Sequence, residues 1–493
     1  MRKAMEAQLR LDIPAFDKIE FDLSNRHELE AILMALKHVY ESQEVLGSIL
    51  QIIAQDVGCD TDTEIGCPGL SYWEVLVLAA VRLGCDLNYD ALADLASNHR
   101  KLRRILGVGD WEDNRKFSRS TIQNNMVKLK PETICQISNT VVALGHRAIP
   151  DAITKVRGDS FVVQTNIHYP TDASLILDGA RKVLSLSARL GQLLGVKTWH
   201  HWRTTFRTVK KLHRTIQKIG ASHKLQKDKK AEKLKPVYHE LMTKVVEIGL
   251  KALEFQENIA ANKPQKKSTQ RQVEKLRTEL GYYLGATAEV LSLAHRRVFE
   301  GEAIPNTEKI FSLFEPHTEL INRGKSPYPI EFGHRVFVYE DQAGFIVDHE
   351  VMDKGLTDDK VAVTRFRALQ QRLANRIHVV SLDKGCWSPD NLKELEEIVD
   401  VVCLPKKGIR DIDAKLREES IAFRQARMWH PGVESAIHAL VVGNGLSVCR
   451  DRGAEGYRRY VALGVLGRNL HTLGRILLTN SRQEQQPLLR RAA

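Results

Sequence analysis

The sequence has no apolar run long enough to cross a bilayer: segments such as Val75–Val81 and Val461–Val465 fall far short of the ~20 residues a membrane helix needs. No secretory leader is predicted either. Residues 1–10 scatter Arg2, Lys3, Glu6 and Arg10 through the stretch where an apolar core of ~7–15 residues belongs. These absences predict a cytoplasmic protein with no membrane partner. The seven cysteines, Cys59, Cys67, Cys85, Cys135, Cys386, Cys403 and Cys449, form no C-x-x-C pair. Reduced thiols without a zinc site follow, although Cys59, Cys67 and Cys85 are close enough to leave a metal open. Only 15 prolines and 31 glycines in 493 residues exclude collagenous and low-complexity architectures. No G-x-G-x-x-G follows a strand, and neither a G-x-x-x-x-G-K-[ST] loop nor an H-E-x-x-H motif occurs, which removes nucleotide-driven and zinc-protease chemistry.

What is present is globular, with 43% hydrophobic and 27% charged residues. At ~150 residues per domain the length suggests about three domains. Lys and Arg number 73 against 61 Asp and Glu, a formal charge of +12. Lys197–Lys235 alone holds 13 Lys and Arg against Asp228 and Glu232, a net +11. Arg203, Arg207, Lys211, Arg214 and Lys218 recur at three or four residues, so a helix would align them in one stripe, with Trp199, Trp202 and Phe206 nearby. A run this unbalanced repels itself unless an anion lies beside it, which favours a nucleic-acid backbone over a merely solvated face.

The periodicity along the chain alternates between helix and strand. Residues 25–148 read as helices: Ser71–Leu83 with Ser71 as N-cap, Ala91–Ala96 after Asn88, Lys101–Ile105 closing at Gly107, and a polar helix from Ser118 or Ser120 to Leu129. Residues 70–130 have the grammar of a helix-turn-helix, and its last helix offers Arg119, Gln123, Asn124 and Lys128 to phosphates or base edges. An ordinary helical bundle with a solvated face fits the same pattern. A strand at Val156–Val163 opens a second region, helices fill 172–302, and strands return at Glu331–Glu340 and Phe345–Val351. Helix Asp359–Asn375, strand Ile377–Leu382, helix Ser388–Ile398 and strand Val399–Leu404 complete a β-β-β-α-β-α-β order, a mixed five-stranded sheet with helices on its faces.

Three acids stand out by position. Asp159 lies within an apolar strand, where an ionised carboxylate is costly without a cation or partner. Asp383 ends a strand, where ligands of open α/β sheets gather. Glu434 opens a helix whose Val433, Ile437 and Leu440 form its apolar face. Asp172 is an alternative first acid, although it follows Pro170-Thr171 like a helix-starting residue. Asp390 reads as another helix-starting acid, and Glu331 and Asp348 as solvated acids on the hairpin.

The strings Asp159-Ser-Phe-Val-Val-Gln-Thr-Asn-Ile-His-Tyr-Pro-Thr-Asp172, Ser381-Leu-Asp-Lys-Gly385 and Pro431-Gly-Val-Glu434, with Gly445-Leu446, Arg450, Arg452-Gly453 and Asn469-Leu470 after them, resemble bacterial DDE insertion-sequence transposases. The ISNCY or a neighbouring group is the nearest fit. The resemblance implies an RNase H-like α/β catalytic core at 151–172 and 326–480, interrupted by a basic α-helical insertion at 173–325. An all-α, helix-turn-helix-like DNA-binding region at 1–150 precedes it and a tail at 481–493 ends it. It implies that Asp159, Asp383 and Glu434 are catalytic and hold two Mg²⁺ (or Mn²⁺) ions. Hard oxygen ligands suit ions ~4 Å apart that activate an attacking oxygen and stabilise a leaving one. Terminal inverted repeats and target DNA would be the partners, a homodimer or higher assembly would bridge two ends, and the protein would sit on the nucleoid. The chain departs from many relatives in carrying Val441 where a Lys or Arg stands seven positions after the glutamate, and in placing its upstream basic residues at Arg424 and Arg427. His438 is a surface histidine or an assisting one. A DNA-binding protein without chemistry and a nuclease that cleaves without joining remain the rivals.

Overall fold

The computed structural model describes residues 3–5, 18–58, 69–109, 111, 114–223, 226–259, 264, 266–322, 324 and 329–492. Seven helices come first: α1 (Glu28–Glu41), α2 (Gln43–Val57), α3 (Tyr72–Gly84), α4 (Tyr89–Asn98), α5 (Arg100–Ile105), α6 (Arg119–Met126) and α7 (Pro131–Ala148). The start signals read from sequence act as expected. Ser71 and Glu74 close a capping box on α3, and Asn88 and Ser118 accept from backbone N–H groups of α4 and α6. The polar helix α6 ends at Met126, short of Leu129.

Strand β1 (Lys155–Thr165) is followed by α8 (Asp172–Leu194), α9 (Trp202–Ala221), α10 (Lys227–Asn258) and α11 (Lys267–Val298). After these come β2 (Glu319–Asn322), β3 (Ile330–Asp341), β4 (Ile346–Val351), α12 (Asp358–Arg372), β5 (Val379–Leu382), α13 (Pro389–Ile398) and β6 (Val401–Cys403). Helices α14 (Ile412–Glu419), α15 (Ile421–Trp429) and α16 (Gly432–His438), strand β7 (Val448–Cys449) and helix α17 (Gly453–Ala492) complete the chain.

The sheet is mixed, ordered β2-β3-β1-β5-β6, with β4 on β3 and β7 on β1. Its seven strands correct the expected five: β2 and β7 have four and two residues, too few to carry a periodic signal. β1 runs antiparallel to β3 and parallel to β5, which runs parallel to β6. The chain divides into two compact units, residues 1–166 with 321–493, and residues 167–320.

In the first unit one core joins the N-terminal helices, the sheet and α17. α17 packs on α1, α3, α7 and β4, and its helix continues through 481–492, where the sequence predicts a separate tail. Asn469, wholly buried on α17, accepts from the Ile346 N–H and donates to the Ile346 carbonyl and Ser138 Oγ, each within 2.9 Å. The side-chain amide thereby extends the ladder of an edge strand. Arg450 donates to Tyr460 at 2.9 Å and pairs with Asp86, while Gly445 and Gly453 have φ of 70° and 74°. These motif residues therefore serve packing.

In the second unit α8 packs against α9, α10 and α11 around a separate apolar core. Among the described residues no helix is long and apolar enough to cross a membrane.

Candidate active site

The register of β1 and β5 places two of the three acids. Val156, Arg157 and Gly158 lie opposite Val380, Ser381 and Leu382 in parallel pairing. Asp383 continues extended from Leu382, with φ −79° and ψ 164°. Asp159 and Asp383 are thus the next pair in register, side by side at the carboxyl end of β5. Period-two alternation puts Arg157 and Asp159 on one face of β1, and Ser381 and Asp383 on the same face of β5.

The segment from α15 to α16 lies over that face. Arg157 donates through Nη1 to the Trp429 carbonyl at 2.7 Å and through Nε to Glu340 Oε2 at 2.6 Å, with its guanidinium 4.5 Å from the Trp429 ring centroid. Ser381 Oγ donates to the Ala426 carbonyl at 3.4 Å and lies 3.1 Å from His430 Nδ1. Gly432 is required where the chain crosses Arg157, because a Cβ there would collide with the guanidinium. α16 packs on β1, and Glu434 stands exposed in its first turn, one turn beyond His430. Among the described residues the side chains of Asp383 and Glu434 make no hydrogen bond or ion pair.

The site is acidic. Burial holds the Cys386 thiol well above its ordinary pKa, and Asp358, Asp159, Asp383 and Asp359 push it further. Burial, then Arg427, lowers the pKa of His430, against the pull of Asp383. Burial also raises Glu340 despite its bond to Arg157. Asp358, in the first turn of α12, escapes a reading of the sequence because it resembles any helix-starting acid. Its Oδ1 is buried with no hydrogen-bond partner, and its Oδ2 would lie 3.4 Å from a Cβ at Gly385, two residues after Asp383. Hard carboxylate oxygens in this number, one of them orphaned, suit a hard divalent cation. Among the described residues, however, no three His, Cys, Asp or Glu side chains converge closely enough to share an ion.

The other acids lie in different settings. Asp172 begins α8 and accepts from Arg297 Nε at 2.8 Å. Asp390 lies in the first turn of α13, behind the N-cap Ser388. Asp348 corrects the expectation of a solvated acid: Arg365 grips it with two bonds of 2.7 and 2.8 Å. Glu331 is likewise half-buried, not solvated. The π turn Ala439–Gly443 follows α16, so Val441 no longer stands two α-helical turns above Glu434. His438 is exposed.

Arg203, Arg207, Lys211, Arg214 and Lys218 are all exposed along α9, while Val209, His213 and Ile216 are buried on the opposite face. None of the five makes an ion pair among the described residues. Trp199 is buried in the core of the second unit, and Trp202 and Phe206 are half-buried against it, with the Arg203 guanidinium 5.6 Å from the Trp202 ring centroid. On α6, Arg119 and Asn124 are exposed, Arg119 pairs with Asp90 at 3.4 Å, Gln123 is half-buried, and Lys128 falls beyond the helix. Cys59 and Cys67 lie outside the described residues, and burial raises the Cys85 thiol to about 12. No protein-family model, curated protein or solved structure matches this chain.

Proposed function

We propose that the protein is a DNA transposase with an RNase H-like core. It would bind the ends of an insertion sequence, cleave phosphodiester bonds there and join the freed 3′ ends to target DNA. The parallel register that sets Asp159 beside Asp383 carries this proposal, since two adjacent carboxylates repel unless a cation lies between them. Asp159, Asp383 and Glu434 would hold two Mg²⁺ or Mn²⁺ ions, which when bound supply charge for the attacking and leaving oxygens of an in-line displacement.

The chain's own residues have separate tasks. Asp159 is fixed on the central strand, and its Oδ1 accepts from the Ser160 N–H at 2.7 Å. Arg157 ties α15 and α16 to the sheet through Trp429 and the gap at Gly432, and so holds the helix that carries Glu434 against β1. The α9 stripe offers five exposed cations to DNA phosphates, and α6 with the turn after it offers Arg119, Gln123, Asn124 and Lys128 as a helix-turn-helix-like reader.

The test is a gel assay with labelled DNA from either side of the protein's own gene, with and without Mg²⁺. Cleaved and joined products support the proposal. Cleavage without joining would make the protein a nuclease, and a shift without cleavage a DNA-binding protein that lacks the chemistry.

A further inference from the structure

Helix α17 carries an arginine that the fold leaves without a partner. Arg468 is half-buried, its Nε is covered from solvent, and among the described residues its side chain makes no hydrogen bond or ion pair. Burial weakens its hold on the proton, against the pull of Glu340. A guanidinium stays charged even so, and a charge kept from water without a partner is costly. Glu340 is engaged elsewhere, since its Oε2 accepts from Arg157 Nε at 2.6 Å. A Cβ at Gly344 would lie 3.6 Å from Glu340 Oε1 and 3.9 Å from Arg468 Nη2, so the two side chains flank one turn without pairing.

Arg468 lines a cavity of about 420 Å³. His471, Thr472, Arg475, Ile476 and Thr479 line it from the same face of α17, three and four residues apart, and Ile149 after α7 and Ala343 in the β3–β4 turn join them. No Asp or Glu lines the cavity, and residues 456–483 of α17 hold none. Arg475 is exposed and likewise makes no ion pair among the described residues. It stands two turns from Arg468, about 10 Å along the axis, a gap that two arginine side chains can bridge. Burial, then Arg468, lowers His471 to about 4, so its imidazole is uncharged at neutral pH. Glu28, the acid that acts on His471, is exposed at the start of α1. Two guanidiniums and no carboxylate in the lining match a doubly charged anion.

We propose that this cavity binds the phosphate group of a small molecule, with Arg468 and Arg475 donating to its oxygens. The volume is that of a small-ligand pocket and exceeds what a phosphate alone fills, and Ile149, Ala343 and Ile476 offer apolar contact to whatever the phosphate carries. A nucleic-acid strand is served by exposed cations such as those of α9, whereas the half-buried Arg468 has to be reached inside the cavity. The inference rests on α17 and its neighbours alone and not on the transposase reading.

Titration calorimetry of the full chain, free of DNA and metal, with inorganic phosphate and with adenosine monophosphate tests it. At least one probe should bind, and Arg468→Met should weaken that binding roughly tenfold or more. Tighter binding of adenosine monophosphate would assign a phosphate ester, and equal or weaker binding a free phosphate. Arg468→Met should melt no lower than the parent, because it removes a buried charge that nothing pairs. If it melts lower, the exposed Arg475→Gln decides by the same loss of binding. Failure of both probes to bind the parent would overturn the proposal, as would binding that both variants leave unchanged. A loss in Arg468→Met confined to labelled duplex DNA would also overturn it, by making the cavity a strand contact. Each result leaves the cleavage assay to be judged by itself.

Discussion

Asp159 and Asp383 are neighbouring carboxylates in the register of β1 and β5, so neutralising one should leave the metal-free fold intact while removing a proposed cation ligand. Mg²⁺ or Mn²⁺ should raise the melting temperature of the parent by mass action, and Asp383→Asn should abolish that rise without lowering the metal-free melt. A metal-dependent rise that survives in Asp383→Asn would place the cation elsewhere. Gly432 supplies a second residue-scale prediction. A methyl group on its Cα must displace a guanidinium held by Glu340 and the Trp429 carbonyl. Gly432→Ala should cost about 1–3 kcal/mol in urea unfolding and lower cleavage. Gly47→Ala is the control: it sits exposed on α2 where an added methyl meets nothing, and it should do neither. Equal effects of the two substitutions would remove the crossing at Arg157 as the cause.

At the scale of elements, the stripe on α9 separates a phosphate contact from a solvated face. Arg207→Glu, Lys211→Glu and Arg214→Glu together should weaken DNA binding and flatten the salt dependence by about 0.9 per lost phosphate contact, with the melting temperature unchanged. An unaltered salt slope would make the stripe a solvated face. Much of this level is legible in the sequence: the capped helices α3 and α4, strand β1, the β3–β4 hairpin and the alternation through β6 lie within a few residues of expectation. Strands β2 and β7 are not, because four and two residues cannot display an alternation. Nor is the π turn after α16, which depends on tertiary packing, or the setting of Asp358, whose sequence context is that of any helix-starting acid. Trp199, Trp202 and Phe206 lie beside the basic stripe in sequence, yet packing buries Trp199 and half-buries Trp202 and Phe206 against the core. A sequence places residues along a helix and leaves open which face the tertiary fold will cover.

For the whole molecule, burial lowers the pKa of several histidines, furthest at His349 and His471 of the first unit. Burial lowers His349 and His471 from 6.5 to about 4. A histidine whose folded pKa is depressed binds protons better when unfolded, so its contribution is present above pH 6.5 and is lost as pH falls toward 4. Burial raises Glu340, Asp341 and Glu350, which act with the opposite sign. The net slope therefore mixes both, and single variants separate them: His471→Gln should shrink the loss of unfolding free energy between about pH 6.5 and about pH 4.5. A slope unchanged by that variant would show that His471 does not hold its proton differently on folding.

Cleavage at the ends of an insertion sequence and joining of the freed 3′ ends to target DNA, at the carboxylates of one sheet, is the central proposal. It is tested most directly by quantifying cleaved and strand-transferred product from labelled flanking DNA in Mg²⁺ for the parent and for Asp383→Asn, at matched DNA binding. Loss of several kcal/mol of transition-state stabilisation corresponds to roughly a thousandfold, so the variant should bind DNA normally and give essentially neither product. Equal cleavage by Asp383→Asn and the parent would contradict the account.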